Sequence, residues 1–225
     1  MSHSAYYDAT HIDAGIAAGL HRDLIGGHWD VLGRHQLDFL IQRGLKPEHR
    51  LLDIGCGSLR LGCLAIPYLE PLRYFGTDLS ASLVHAGRAH ELDDDGRRRA
   101  PIDHFAFNDD FDFDFVPEAV DFAIAQSVFT HLPINHLRRC LARLSGRISS
   151  GGVFYVTFFE CPPQHPIDQP LRQPPGEIIT HDYCDPYHYR LGDLAWAIDG
   201  GPWRLDAIGD WNHPRGQHIA AFRRL

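Results

Sequence analysis

Apolar residues in this chain alternate between short continuous runs and longer stretches in which they recur every three or four positions. The short runs predict strands, because a strand buried on both faces forms an unbroken apolar block. They lie at 50–54, 74–78, 104–107, 120–126 and 151–159. The longer stretches predict helices at 58–69, 80–92 and 133–145. Strands that alternate with helices in this way indicate an α/β fold with a doubly wound, mostly parallel sheet.

The two ends of the chain add elements outside this alternation. Residues 1–45 are predicted as an N-terminal helical cap, which includes a helix at 29–43 that ends at Gly44. Towards the other end, apolar runs at 203–211 and 217–224 predict two strands joined by a tight turn. A terminal antiparallel hairpin of this kind would complete a sheet of seven strands.

The length of 225 residues favours a single domain, because one ordinary hydrophobic core suffices for it. We divide this domain into the 1–45 cap, a core at 46–160, an insertion at 161–189, and a final helix and hairpin at 190–225. The insertion is rich in proline and histidine and too long for an ordinary connection, which favours a lid or substrate-binding segment. The charged run at 93–99 is predicted as a solvated loop.

Charge and composition narrow the possible partners. The formal net charge of −8 leaves no general basic surface, so we expect no nucleic-acid partner. The longest apolar run, 153–159, is too short to span a bilayer, and the first residues do not resemble a secretion signal. The five cysteines are odd in number and scattered, which favours a reducing cytoplasm and no disulfide framework. The oligomeric state is not specified by these patterns.

The run "LLDIGCGSLRLG" at 51–62 carries the clearest chemical signal. Gly55 and Gly57 follow the first strand, where they can adopt positive φ and let a ligand approach the backbone. Dinucleotides and S-adenosylmethionine both use such a loop. The dinucleotide pattern requires a third glycine, and Arg60 stands in its place. Asp78 closes the second strand, where a carboxylate can bind ribose hydroxyls in either ligand class.

Three segments in order, "LLDIGCGSLRLG", "YFGTDLS" and "VDFAIAQSVFTHLP", resemble the class I S-adenosylmethionine-dependent methyltransferases. The resemblance covers roughly residues 48–160, and the closing hairpin fits the usual end of that family. It implies a Rossmann-like fold, S-adenosylmethionine as the cofactor and S-adenosylhomocysteine as its product. It also implies transfer of a methyl group, here to an oxygen or nitrogen nucleophile of a small molecule.

The resemblance assigns cofactor-binding roles to residues at the ends of the strands. Asp53, Gly55 and Gly57 would hold the methionine part, with Cys56 contributing its backbone. The ribose would lie on Asp78 and the adenine against Leu79. The remaining candidates are Asn108 or Asp109 for the adenine amine, and Gln126 and Ser127 beside the transferred methyl group.

Candidates for catalysis and for acceptor binding follow from the ligand-binding edge of the sheet. A histidine near this edge would suit a general base, with His131 first and His181 and His188 as rivals from the insertion. The acceptor-binding candidates come from the cap, the insertion and the hairpin turn, and Arg215 suits a carboxylate or phosphate. They are Trp29, Tyr183, Trp211, His213 and Arg215. The cap and the insertion together are predicted to form a mobile cover over the site.

Other functions stay open at this stage. A module that binds the cofactor without turnover would keep the glycine loop but need no enclosed acceptor pocket. A nicotinamide enzyme is disfavoured by Arg60, and a protein or carrier-bound acceptor is a further alternative. The insertion contains four possible metal ligands, but their spacing matches no zinc pattern, so we expect no metal; they are His181, Cys184, Asp185 and His188.

Overall fold

The structure is a computed structural model that describes residues 5–225. Residues 1–4 of the predicted cap lie outside the described residues. The described residues form ten strands, of which eight belong to the central sheet and two form a separate hairpin. They are β1 (Leu51–Ile54), β2 (Tyr74–Asp78), β3 (Phe105–Phe107), β4 (Val120–Ala125), β5 (Ile148–Glu160), β6 (Leu171–Gln173), β7 (Ile178–Thr180), β8 (His188–Tyr189), β9 (Trp203–Asp210) and β10 (His218–Arg224).

The central sheet has the order β3-β2-β1-β4-β5-β10-β9. Strands β1 to β5 are parallel to one another, and β10 is antiparallel to both β5 and β9. Strand β9 therefore runs in the same direction as β1 to β5, and the turn after it lies at their carboxyl ends. This arrangement confirms the predicted doubly wound sheet of seven strands with an antiparallel hairpin. The short strand β8 adds a parallel pairing at the end of β5.

Eight α-helices surround the sheet in the described part of the chain. They are α1 (Ala9–Ala17), α2 (His21–Leu24), α3 (Trp29–Gln42), α4 (Gly62–Tyr68), α5 (Ala81–His90), α6 (Asp94–Arg99), α7 (Ile134–Leu144) and α8 (Leu191–Ala197). Ser80 caps α5 as its side chain accepts a hydrogen bond from the backbone N–H of Leu83 at 3.2 Å. Such a cap satisfies one of the unpaired donors of the first turn.

Two predicted elements differ from the structure. The run 93–99 is a helix and not a loop, because Asp93 caps it and ion pairs between residues three apart stabilise its turns. The helix expected from residue 58 begins only at Gly62, since turns occupy the residues after Gly57. Leu59 has a φ of 68° there, which ends helical geometry on its N-terminal side.

The helices cover both faces of the sheet, and each face has its own core. One core contains Phe75, Phe129, Phe154 and Phe222, and the other contains Leu40, Leu51, Tyr74 and Ile219. Both faces of the central strands are thus buried, as their continuous apolar sequence predicts. No helix in residues 5–225 has the length and apolar character needed to cross a membrane.

The insertion at 161–189 folds against the sheet. Strands β6 and β7 pair as an antiparallel hairpin, and β8 pairs with the end of β5. The backbone N–H of Tyr187 also donates to the carbonyl of Thr130 at 2.7 Å. These contacts bring the insertion to the loop that follows β4, at the carboxyl ends of the strands.

Candidate active site

A cavity lies at the carboxyl ends of β1, β2, β3 and β4, and we call it the glycine-loop cavity. The residues around it include all ten that the sequence predicts for cofactor binding. They are Asp53, Gly55, Cys56, Gly57, Asp78, Leu79, Asn108, Asp109, Gln126 and Ser127. Tyr6, Ile25, Gln36, Arg60 and His131 are among the other residues that line it. These side chains are up to 74 positions apart in sequence. They meet because the parallel strands that precede them all end at the same edge of the sheet.

The glycine loop has no room for larger residues. Gly55 has a φ of 72°, and a Cβ there would lie 2.4 Å from Cγ2 of Val128. Gly57 has a φ of 53°, and its Cβ would lie 2.8 Å from Cγ2 of Ile25. Both positions thus need glycine for backbone conformation and for space.

The Asp78 carboxylate is held by the backbone on both of its oxygens. The N–H of Gly57 donates to Oδ2 at 2.8 Å, and the N–H of Ser80 donates to Oδ1 at 2.8 Å. Burial raises the pKa of Asp78, while the backbone hydrogen bonds act in the opposite direction. The carboxylate is therefore fixed at the cavity wall before any ligand binds.

Asp53 lies deeper and has a different environment. The hydroxyl of Tyr74 donates to its Oδ2 at 2.7 Å. Burial raises the pKa of Asp53 to about 7, and the Tyr74 hydrogen bond and the Arg60 charge limit that rise. Asp53 is thus poised to change its protonation state near neutral pH.

Gln126 is the centre of a buried polar network below the cavity. Its Oε1 accepts hydrogen bonds from Nε2 of Gln36 at 2.8 Å and from the guanidinium of Arg60. Its Nε2 donates to Oγ of Ser127 at 2.6 Å. Arg60 also donates to the carbonyls of Ile25 and Gly27, at 3.2 Å and 2.9 Å. Arg60, which stands where a dinucleotide loop has its third glycine, therefore connects the glycine loop to the 25–27 segment and to the end of β4.

The two candidates after β3 are positioned by their own loop. Oδ1 of Asn108 accepts from the N–H of Asp112 at 3.1 Å, and Nδ2 donates to the carbonyl of Asp112 at 3.1 Å. Asp109 is exposed at the rim. Asn108 thus already uses both ends of its amide to close the loop, whereas the Asp109 carboxylate has no such bond in the described structure.

His131 lies where the glycine-loop cavity meets a second, smaller cavity. Its Nδ1 is 2.7 Å from Oδ1 of Asp185, which the insertion contributes. The ring of Tyr6 packs edge-on against the imidazole, with centroids 5.1 Å apart. A carboxylate at Nδ1 favours the tautomer that leaves Nε2 without a proton. The sequence suggests Asp185 only as a possible metal ligand, because no local pattern indicates its contact with His131, 54 positions earlier.

We call the second cavity the hairpin cavity, because the turn between β9 and β10 forms one side of it. His213, Arg215 and Gln217 come from this turn, and Phe159, Ile178 and Pro186 come from the end of β5 and the insertion. His213 is buried, and burial together with the Arg60 charge lowers its pKa to about 3. His213 is therefore neutral in the folded protein at physiological pH.

Five predicted residues lie away from both cavities. His188 is buried in β8, with Nδ1 2.9 Å from Oγ1 of Thr180, and His181 pairs with Tyr187 in the backbone of the insertion. Trp211 packs against His35 and Phe39 in the core, and Trp29 stacks under the Arg22 guanidinium. Tyr183 is 72% exposed. The structure thus gives these side chains packing or surface positions instead of the predicted places in the site.

No group of three or more His, Cys, Asp or Glu side chains in residues 5–225 is arranged to hold a metal ion. Two of the candidate ligands in the insertion have other partners: Asp185 lies beside His131, and His188 lies beside Thr180. All five cysteines are free thiols.

The central part of the chain matches a known family model. A family model described as a methyltransferase domain matches residues 52–154, which contain the glycine loop, Asp78 and the loop after β4. The chain is also similar in structure to solved proteins across nearly its whole length, at sequence identities that establish the fold alone.

Three of these structures illustrate the similarity. Magnesium protoporphyrin IX methyltransferase (ChlM) from Synechocystis PCC 6803, with bound SAM, is 16% identical with a TM-score of 0.62, and the match covers 100% of both chains. The CcbJ methyltransferase from Streptomyces caelestis is 14% identical with a TM-score of 0.64, covering 89% of this chain and 98% of that one. DesVI from Streptomyces venezuelae is 16% identical with a TM-score of 0.61, covering 97% and 100%.

Proposed function

We propose that this chain is a class I S-adenosylmethionine-dependent methyltransferase and that it methylates an oxygen or nitrogen nucleophile of a small molecule. The observation that carries this proposal is the hairpin cavity beside the glycine-loop cavity. The two share Tyr6, Ile25, Arg60, Ser127 and His131 as lining residues. A second molecule in the hairpin cavity would therefore contact the first directly.

The residues of the glycine-loop cavity fit S-adenosylmethionine. Gly55 and Gly57 line the cavity, so a ligand there can approach the backbone of the loop closely. Asp53, Asp78 and Asp109 offer carboxylates to a ligand that carries a sulfonium, an ammonium and two ribose hydroxyls. When bound, this cofactor supplies a methyl group that is already electrophilic, so no nucleophilic triad is needed.

The chain's own residues would divide the binding task by position. Asp78, held by two backbone N–H groups, would accept hydrogen bonds from the ribose hydroxyls. Asp53 and the glycine loop would hold the methionine part, and Leu79 would pack on the adenine. Asp109 is the better candidate for the adenine amine, because Asn108 is already bonded within its loop.

The proton of the acceptor would pass to His131. This residue lines both cavities, and Asp185 at Nδ1 orients the imidazole so that Nε2 can accept a proton. His181 and His188 lie outside both cavities, so we propose no catalytic role for them. The free thiols support the further proposal that the enzyme works in the cytoplasm.

The direct test is release of S-adenosylhomocysteine in the presence of a library of hydroxyl- and amine-bearing metabolites. His131→Ala should lower the turnover number about 10²- to 10⁴-fold at saturating substrate and leave S-adenosylhomocysteine affinity unchanged. His11→Ala, at an exposed position of α1, is the matched control and should keep full activity.

Other outcomes would point elsewhere. Cofactor binding without release for any acceptor would indicate a binding module. Release only with protein or carrier-bound acceptors would replace the small-molecule proposal. Near-normal turnover of the His131 variant would show that this histidine is not the base and that the enzyme works mainly by alignment.

A further inference from the structure

The two cavities differ in their charged groups: Arg60 lines both, but only the glycine-loop cavity has carboxylates and only the hairpin cavity has Arg215, within residues 5–225. Three aspartates line the glycine-loop cavity, whereas no carboxylate lines the hairpin cavity, within residues 5–225. The hairpin cavity instead contains the guanidinium groups of Arg60 and Arg215. Eleven other arginines among the described residues form ion pairs with carboxylates.

The partners of these two arginines are neutral. Arg60 donates to the carbonyls of Ile25 and Gly27 and to the amide oxygen of Gln126. Arg215 donates to the carbonyl of Gly26. Neither guanidinium forms an ion pair with a carboxylate in the described part of the chain, and Nε of Arg60 is buried without any hydrogen-bond partner.

A buried cation without a counter-charge destabilises a protein, because desolvation is not compensated. Arg60 is only 8% exposed, and this burial lowers its pKa to about 10. Asp53 is the acidic group whose charge opposes this effect, but its carboxylate is hydrogen-bonded to Tyr74. An anion in the hairpin cavity would supply the missing charge.

Arg215 is fixed in place before any ligand binds. Its backbone N–H donates to Nδ1 of His213 at 3.1 Å. A Cβ on Gly176 would lie 2.8 Å from Cα of Arg215, and one on Gly26 would lie 3.0 Å from its Nη1, so both neighbouring segments pack closely on it. Such a preorganised guanidinium loses little entropy when it binds a carboxylate or phosphate through two parallel hydrogen bonds.

We propose that the hairpin cavity binds an anionic group of the acceptor, a carboxylate or a phosphate, between Arg60 and Arg215. The acceptor would then be a small anion whose nucleophilic atom lies on the side of His131. This inference rests on the proposed function and adds the chemical class of the acceptor.

The first test needs no knowledge of the acceptor. Inorganic phosphate and malonate are titrated by calorimetry into the enzyme saturated with S-adenosylhomocysteine. Arg215→Ala should weaken this anion binding about 10- to 100-fold, as expected for loss of a charge-assisted pair. Arg204→Ala is the matched control, because Arg204 lies in the same hairpin, is exposed, does not line either cavity and has a side chain that hydrogen-bonds to Asp206.

The second test distinguishes the two possible sources of the anion, the acceptor and the carboxylate of the cofactor. Binding of S-adenosylhomocysteine is compared with that of 5′-methylthioadenosine, which lacks the amino-acid carboxylate. The proposal expects Arg215→Ala to change neither affinity by more than about twofold. A tenfold loss for S-adenosylhomocysteine alone would assign Arg215 to the cofactor and overturn the proposal.

Failure of this inference is separable from failure of the proposed function. If the wild-type enzyme binds S-adenosylhomocysteine but neither phosphate nor malonate, the anionic site is refuted and the methyltransferase assignment stands. Equal anion binding by wild type and Arg215→Ala would refute it as well. Once an acceptor is known, its free acid should react at least about 10-fold faster than its neutral ester at low concentration, and the reverse order would contradict the proposal.

Discussion

Replacing Asp53 with asparagine should change how the stability of the cofactor-free protein depends on pH. The folded-state pKa of Asp53 is about 7, compared with an ordinary value of 3.8. The folded protein therefore holds a proton between these two values that the unfolded chain releases. The stability that this proton contributes to the folded state is fully present below pH 3.8 and is lost as the pH rises through about 7.

The size of this effect follows from the shift. At 1.36 kcal/mol per pKa unit, ionisation of Asp53 in the folded state costs about 4 kcal/mol when it is complete. Between pH 8 and pH 5.5, this one group should raise the free energy of unfolding by about 2 kcal/mol. Asparagine has nearly the same shape and can still accept the hydrogen bond from Tyr74, but it does not titrate.

Urea unfolding of wild type and Asp53→Asn across this pH range measures the effect. The difference in unfolding free energy between the two proteins cancels the other titrating groups, and it should change by about 2 kcal/mol from pH 8 to pH 5.5. Asp168→Asn makes the same chemical change at an exposed position. Its unfolding free energy should therefore vary with pH in the same way as that of wild type. A constant difference between wild type and Asp53→Asn would show that the Asp53 carboxyl is not held protonated by its surroundings.

Three further predictions concern the same site. Asp78→Ala should weaken S-adenosylhomocysteine binding by about 1–3 kcal/mol in calorimetry, because the ribose hydroxyls lose a charged partner; binding of NAD without any response to S-adenosylhomocysteine would contradict the assignment. His213 has its pKa lowered to about 3, so this one group should lower the free energy of unfolding by about 2 kcal/mol between pH 7.5 and pH 5, relative to a variant without it, as the unfolded chain takes up a proton that the folded chain does not. His213→Gln should lack this loss, and equal acid sensitivity of the two proteins would refute it. Hydrogen exchange in residues 5–35 and 161–189 should slow when S-adenosylhomocysteine binds, and unchanged exchange in both segments would count against a mobile cover.

The sequence predicted the strands well because their signal is local. A run such as 120–125 is buried on both faces, so its composition alone identifies it. The gathering of Asp53, Asp78 and Gln126 could also be predicted, because parallel strands end at one edge whatever their loops do. These positions depend on topology and not on the details of packing.

The remaining features depend on contacts between distant segments. Arg60 meets Gln126 across 66 positions, and His131 meets Asp185 across 54, and no local pattern encodes either contact. Trp211 was placed in the acceptor site because a large side chain in a turn looks functional, whereas it packs on Phe39 in the core. The helix at 94–99 was missed because a charged run without apolar periodicity gives no helical signal, although Asp93 stands at its cap.

The order of the sheet also affects how the protein is made. Strand β10 lies between β5 and β9, so β9 pairs with the sheet only through a strand that leaves the ribosome after it. Until β10 inserts, the edge of β5 is open and β9 has no partner in the sheet, which exposes two unpaired edges to other nascent chains. A chain interrupted at residue 217 would therefore lose two strands instead of one. It would also leave the hairpin cavity without a fixed wall, although every residue of the glycine loop had already been synthesised.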